Sequence, residues 1–108
     1  MANTGNRIKW EPIREIDSAS LTTSFQNLGG VFLRDSFRVW ITNNTNGDIY
    51  LTDDGSNDKL KLPPQTGRAY DNKTNDMYLG AGSQWQVRFA DPAPVSPTGW
   101  VGLEVEFV

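Results

Sequence analysis

Short apolar runs at 37–42, 49–52 and 60–62 alternate with polar clusters at 43–48 and 53–58, and this stretch organises the chain. In the first run Phe37, Val39 and Ile41 share one parity and Arg38, Trp40 and Thr42 the other. That period of two marks a strand with one buried face. The cluster NNTNGD contains Asn46-Gly47, two residues that tolerate positive φ and so signal a hairpin. The cluster DDGSND adds Asp54-Gly55 and side chains able to bond their own backbone. The pattern predicts a β-meander, strand–turn–strand–turn–strand, at the centre of a small all-β domain.

The flanks read the same way. Residues 1–7 are polar and expected to be loose in isolation. Ile8 and Trp10 alternate with Lys9 and Glu11 until Pro12 interrupts. Proline removes a ladder donor, so this is an edge or extended segment. Its partner is either the domain's own flank or a neighbouring subunit. Residues 17–26 have a cap at Asp17 or Ser18 and alternating Leu21, Thr23 and Phe25. They are read as a strand or extended stretch, with one helical turn as the alternative. A break at 28–30 and a short apolar return at 31–33 follow, and 34–36 turn into the central stretch. Beyond Pro63-Pro64 come short strands at 67–70, 77–79 and 84–89, the last with Trp85, Val87 and Phe89 on one side. The loop 90–99 holds Pro92, Pro94 and Pro97 and is stiff and exposed by composition. In the final strand Val101, Leu103, Val105 and Phe107 point inward, and Gly102, Glu104 and Glu106 outward. About seven to nine strands, with turn chemistry roughly every 8–12 residues, predict a single antiparallel β-sandwich, jelly-roll or immunoglobulin-like. The expected division is an extended arm over 1–24 and a sandwich domain over 25–108.

Composition narrows the function. A chain of 108 residues with 37% apolar and 11% aromatic content makes one domain whose core leans on a few large rings. There is no cysteine and no histidine. That removes disulfides, thiol nucleophiles and the usual general base at neutral pH, so no enzyme and no cofactor are expected. A net charge of −3 with scattered Lys and Arg argues against nucleic acid as a partner. No run approaches membrane-spanning length, and the start lacks a signal peptide's apolar core. The expectation is synthesis in a cytosol with no membrane partner.

Four constellations are candidate sites. The acidic loop 53–58 has the carboxylates calcium favours but lacks a closing bidentate Glu, and turn chemistry explains the same letters. Glu104 and Glu106 share one strand face, which in a hydrolase could pair across a glycosidic bond; the simpler reading is a solvated face. Trp40 and Trp100 lie on the non-core parity, and Tyr50 and Tyr70 border polar loops. Tyr50, Tyr70 and Trp100 could stack sugars, but Trp and Tyr are equally suited to protein interfaces, and that reading is preferred. Asn-x-Thr triplets at Asn43 and Asn72 match a glycosylation pattern but, without a secretory signal, read as turn residues. The arm's Ile8, Trp10, Ile13 and Ile16 are the remaining contact candidates.

Several pieces in sequence order resemble small virion structural proteins of tailed bacteriophages. They are IDSASLTTSFQNLGGVF, ITNNTNGDIYLTDDGSNDKLKLPPQTGRAYD, a later TND, a GxxxxVxF-like strand at 82–89 and a Thr-Gly turn before the last strand. Asn44, Asn46, Asp48, Ile49, Leu51, Thr52, Asp54, Gly55, Pro63 and Asn75 carry the match, with Thr52 where a serine is common. The resemblance covers most of the chain from about residue 16. It implies a non-catalytic sandwich located in the virion, a homo-oligomer that also meets other virion proteins, as head–tail connector, tail component or capsid decoration. The alternative is a glycan-binding module at a host-attachment structure.

Overall fold

The computed structural model describes residues 9–71 and 80–107. Ile8, the triplet at Asn72, Asn75 and the expected run at 77–79 lie outside the described residues. The strands are β1 (Lys9–Trp10), β2 (Arg14–Asp17), β3 (Gln26–Asn27), β4 (Ser36–Thr45), β5 (Ile49–Thr52), β6 (Leu60–Leu62), β7 (Thr66–Asp71), β8 (Gln86–Phe89) and β9 (Gly99–Phe107). They form two antiparallel sheets, one in the order β1-β9-β4-β7 with β2 also on β9, the other β3-β8-β5-β6. The expected all-β sandwich is therefore present.

The pairings β2–β9, β3–β8, β4–β7 and β5–β6 nest inside one another. The chain from β2 to β9 is thus one long hairpin, with β5–β6 at its tip, rolled so that successive strands change sheet everywhere except at that tip. That is the jelly-roll arrangement of an antiparallel sandwich. The inner faces carry the alternation expected from the sequence. Val39 and Ile41 of β4 and Val101, Leu103 and Val105 of β9 meet Ile49, Leu51, Val87 and Phe89 in one buried cluster with Trp85, Phe32 and Leu28.

The meander is corrected by this topology. β5 and β6 do form a hairpin, with Leu51 opposite Leu60, around Asp54 and a Gly55 at φ 77°. β4 and β5, however, belong to different sheets, and neither Asn46 nor Gly47 has positive φ. NNTNGD is a corner between sheets, and a buried amide accounts for it. The Asn43 side chain is fully buried and donates to the carbonyls of Gly47 (2.9 Å), Leu62 (3.0 Å) and Pro63 (3.0 Å). Its oxygen accepts from the Thr45 amide and hydroxyl. One side chain therefore holds both the β4–β5 and the β6–β7 crossings. Gly47 serves close approach rather than φ, since a Cβ there would lie 2.6 Å from the Pro94 ring.

Three further expectations are revised. In residues 17–26 the strand reading gives way to its alternative, one helical turn: a 3-10 turn at Ser18–Ser20 is capped by Asp17, whose carboxylate accepts from the Ala19 amide at 2.8 Å, and ladder pairing is left to Asp17, opposite Trp100, and Gln26, opposite Val87. A register shift between Ser36 and Arg38 takes Phe37 out of the core parity, so it is half-buried. Phe107 is also half-buried, beneath the Arg34 guanidinium at 5.0 Å from its ring centre.

Of the two surfaces weighed for the arm, its described part lies on its own domain. Lys9 and Trp10 pair with Phe107 and Glu106, and Arg14–Asp17 with Leu103–Trp100. A buried ion pair secures it. Arg14 Nη2 lies 2.6 Å from the Glu11 carboxylate and donates to the Val31 carbonyl at 2.8 Å. Glu11 in turn accepts the backbone amides of Leu33 and Arg34. Arm and residues 29–34 are thus tied through satisfied polar groups, as burial of charge demands. No helix among the described residues is long and apolar enough to cross a membrane.

Candidate functional site

Cross-strand partners point to the same face of a sheet, so the register of β9 lays out the outer face of its sheet. Glu106 is opposite Trp10 on one side and Arg38 on the other. Glu104 is opposite Trp40, and Trp100 is opposite both Asp17 and Asn44. Three tryptophans from three strands therefore share one surface. Trp10 is 52% exposed and Trp40 42% exposed, while Trp100 is half-buried, its ring over Gly102, where a Cβ would lie 2.8 Å from Cζ3.

At the centre of that surface Glu106 is only 1% exposed, which corrects its expected place on a solvated face. Arg38 forks onto it, with Nε at 2.8 Å and Nη2 at 3.0 Å, and the Trp40 indole N–H donates to the same carboxylate. The Arg38 guanidinium also lies 5.5 Å from the ring centres of Phe37 and Trp40. The hydrogen bonds from Arg38, aided by Trp40, hold the Glu106 carboxyl below its ordinary pKa against the opposing effect of burial. A general acid needs the reverse shift. Chemically, the arrangement is a rigid amphipathic platform: indole rings that gain from desolvation, braced by an ion pair whose charges are already matched.

The other expected site residues are scattered. Ile13 is exposed and Ile16 packs partly against the core. Tyr70 is a core residue on the inner face of β7, so its ring offers no surface to a sugar. Tyr50 lies on the outer face of the β8 sheet, where Arg88 stands 4.7 Å and Lys61 5.9 Å from its ring centre. Both cations compete with any ligand for that ring. In the acidic loop the carboxylates are already engaged. Asp54 accepts from the Ser56 and Asn57 amides and the Thr52 hydroxyl, Lys59 pairs with Asp53 at 2.7 Å, and Arg88 pairs with Asp58 at 2.7 Å. The amides of Asn57 and Ser56 lead in drawing the Asp54 carboxyl well below the usual range. This is the Asx-turn reading of the sequence.

Sequence reasoning placed Trp40 and Trp100 on the non-core parity and Trp10 among the arm's contact residues, but missed Arg38 and Glu106 as their partners. Their positions are 68 residues apart, and only the β4–β9 register brings them together. No family model, curated protein or solved structure matches the chain.

Proposed function

We propose that this chain is a non-catalytic assembly protein of a bacteriophage particle, docking on other virion proteins and on further copies of itself through the outer face of the β9 sheet. The observation that carries this reading is the pair of exposed indoles, Trp10 and Trp40, set around the Arg38–Glu106 pair, whose carboxylate is buried beneath a partly exposed guanidinium. Exposed aromatics on a rigid backbone suit protein recognition, because Trp and Arg supply most of the energy at such contacts at little entropic cost. The jelly roll supports it as analogy, being a common architecture of viral shells. Lectins share that architecture, but here Tyr70 is buried and Tyr50 lies under Arg88, so protein contact is favoured over glycan binding.

Quantitative mass spectrometry of purified particles tests the proposal, counting this chain against the portal and major capsid proteins. A copy number of about six to twelve is the outcome for a closed ring at the tail axis. Hundreds of copies mark a shell decoration. Absence from clean particles overturns the virion reading.

A further inference from the structure

The tryptophan face is also strongly acidic. Glu15 stands opposite Gly102 and Asp17 opposite Trp100, so β2 adds two carboxylates to the surface that β9 lays out. β9 itself contributes Glu104 and Glu106, and Asp71 of β7 stands opposite Arg38. Against these five carboxylates the described strands of the sheet set one outward cation, Arg38. Lys9, Arg14 and Arg68 stand opposite Phe107, Leu103 and Ile41, on the other parity.

Arg38 cannot offset the whole face, because its fork is committed to Glu106. Glu15 and Asp17 are exposed and Glu104 is half-buried. Among the described residues no cation pairs with any of these three. Glu15 lies diagonal to Glu104 across the β2–β9 pair, roughly 7–8 Å away. Trp40 flanks Glu104 on the other side, directly opposite on β4. A band of unmatched carboxylate thus runs beside exposed indole. The acidic loop 53–58 differs, since Asp53 and Asp58 already hold Lys59 and Arg88.

We infer that the partner on this face is a different protein presenting arginine or lysine, whose cations pair with Glu104, Glu15 and Asp17 while Trp10 and Trp40 cover their apolar stems. The inference rests on the outer face being a docking surface, and not on its place in a virion. Electrostatic complementarity selects partners largely by rejecting like charge. Two copies set face to face would oppose carboxylate to carboxylate. The rest of the chain offers no strong basic excess either. Of ten Lys and Arg and thirteen Asp and Glu, this face takes one and five, which leaves nine against eight. Of those nine, Arg14, Lys59, Lys61 and Arg88 pair with carboxylates of their own chain. Charge therefore selects another protein over a second copy. Arginine suits the face best, because it is weakly hydrated and can stack on an indole while it forks onto a carboxylate.

An octa-arginine peptide is the probe, followed through the backbone and indole N–H NMR signals of the full-length chain, with octa-glutamate as control. The expected shifts centre on residues 15–17 and 102–106 and on the Trp10 and Trp40 indoles, and octa-glutamate produces none. Glu15→Gln combined with Glu104→Gln should weaken binding roughly fivefold, the loss of two surface ion pairs. Asp53→Asn, which removes a carboxylate already paired, should change it by less than about twofold. Matching melting curves check the folds. Raising salt from about 0.01 to 0.15 M should weaken binding as the screening length falls from about 30 to 8 Å.

Shifts centred on 53–58, or a double variant that binds like wild type, overturn the inference. So does the same footprint appearing on concentration of the chain alone, which would make a second copy the occupant. Particles separate this from the virion reading. A chain absent from them, with the octa-arginine footprint intact, overturns the virion reading alone. A chain present in them whose double variant incorporates normally overturns the basic partner.

Discussion

The side-chain amide of Asn43 on β4 donates to the main-chain carbonyl of Leu62 on β6 at 3.0 Å, joining strands that belong to opposite sheets. Because the same nitrogen also reaches the Gly47 and Pro63 carbonyls, one residue closes a whole end of the sandwich. Asn43→Ala strands the Leu62 carbonyl and the Thr45 amide, whose bonds to the Asn43 side chain are buried. It should destabilise the domain by about 3 kcal/mol or more, since each buried polar group left unmade costs about 1–3 kcal/mol. Urea denaturation with an unchanged m-value and a lowered midpoint is the expected result.

Gly99 sits at φ 85°, and a Cβ there would run into the Asn44 carbonyl oxygen. Gly99→Ala combines a strained backbone with a main-chain clash across the β4–β9 pairing. A loss of more than about 2 kcal/mol is expected, whereas Gly30→Ala, with open space around its Cβ position, should stay within about 0.5 kcal/mol. Thermal melts of the two variants side by side make the comparison.

The arm depends on the Glu11–Arg14 pair. Arg14→Ala leaves Glu11 buried with only the Leu33 and Arg34 amides, and removing one partner of a buried pair costs about 3 kcal/mol or more. Hydrogen exchange should speed up first at β1, β2 and residues 29–34, ahead of the β4–β9 centre. Uniform acceleration across the sheet would show that the pair stabilises the whole domain and not the arm alone.

Acid should unfold the protein through the same carboxylates. The Glu106 carboxyl lies below its ordinary pKa through its Arg38 and Trp40 hydrogen bonds. Burial opposes the shift at Glu11, but the hydrogen bonds from Arg14, Leu33 and Arg34 outweigh it and lower that carboxyl too. Both groups bind protons more weakly folded than unfolded. Their contribution is present above the unfolded value of about 4.3 and is lost as pH falls through the folded values. Glu106→Gln should cost about 1–3 kcal/mol at pH 7 and flatten the decline in stability below about pH 5. Urea midpoints at a series of pH values give both numbers.

Trp10 is half-exposed on a two-residue edge strand. Trp10→Ala should leave stability within about 0.5 kcal/mol while reducing incorporation into particles severalfold, as loss of an interface anchor does. Normal incorporation of a folded Trp10→Ala chain would remove this residue from the docking face.

The sequence by itself determined the central strands and the buried faces along most of their length. Val39 with Ile41, Trp85 with Val87 and Phe89, and Val101 with Leu103 and Val105 all lie inward as their alternation requires, because side-chain period is local to a strand. It also marked the Asp54-Gly55 hairpin, whose bonds close within a few residues. Which strands share a sheet was decided only by the tertiary structure. Asn46-Gly47 has the letters of a hairpin turn, yet the preceding Asn43 finds its partners at Leu62 and Pro63, and their position is no local property. Glu106 was misread for the same reason. Its parity is outward, and what buries it is Arg38 and Trp40 from a strand more than sixty residues away. Periodicity reports which way a side chain points, and the pairing of distant strands decides what it meets there.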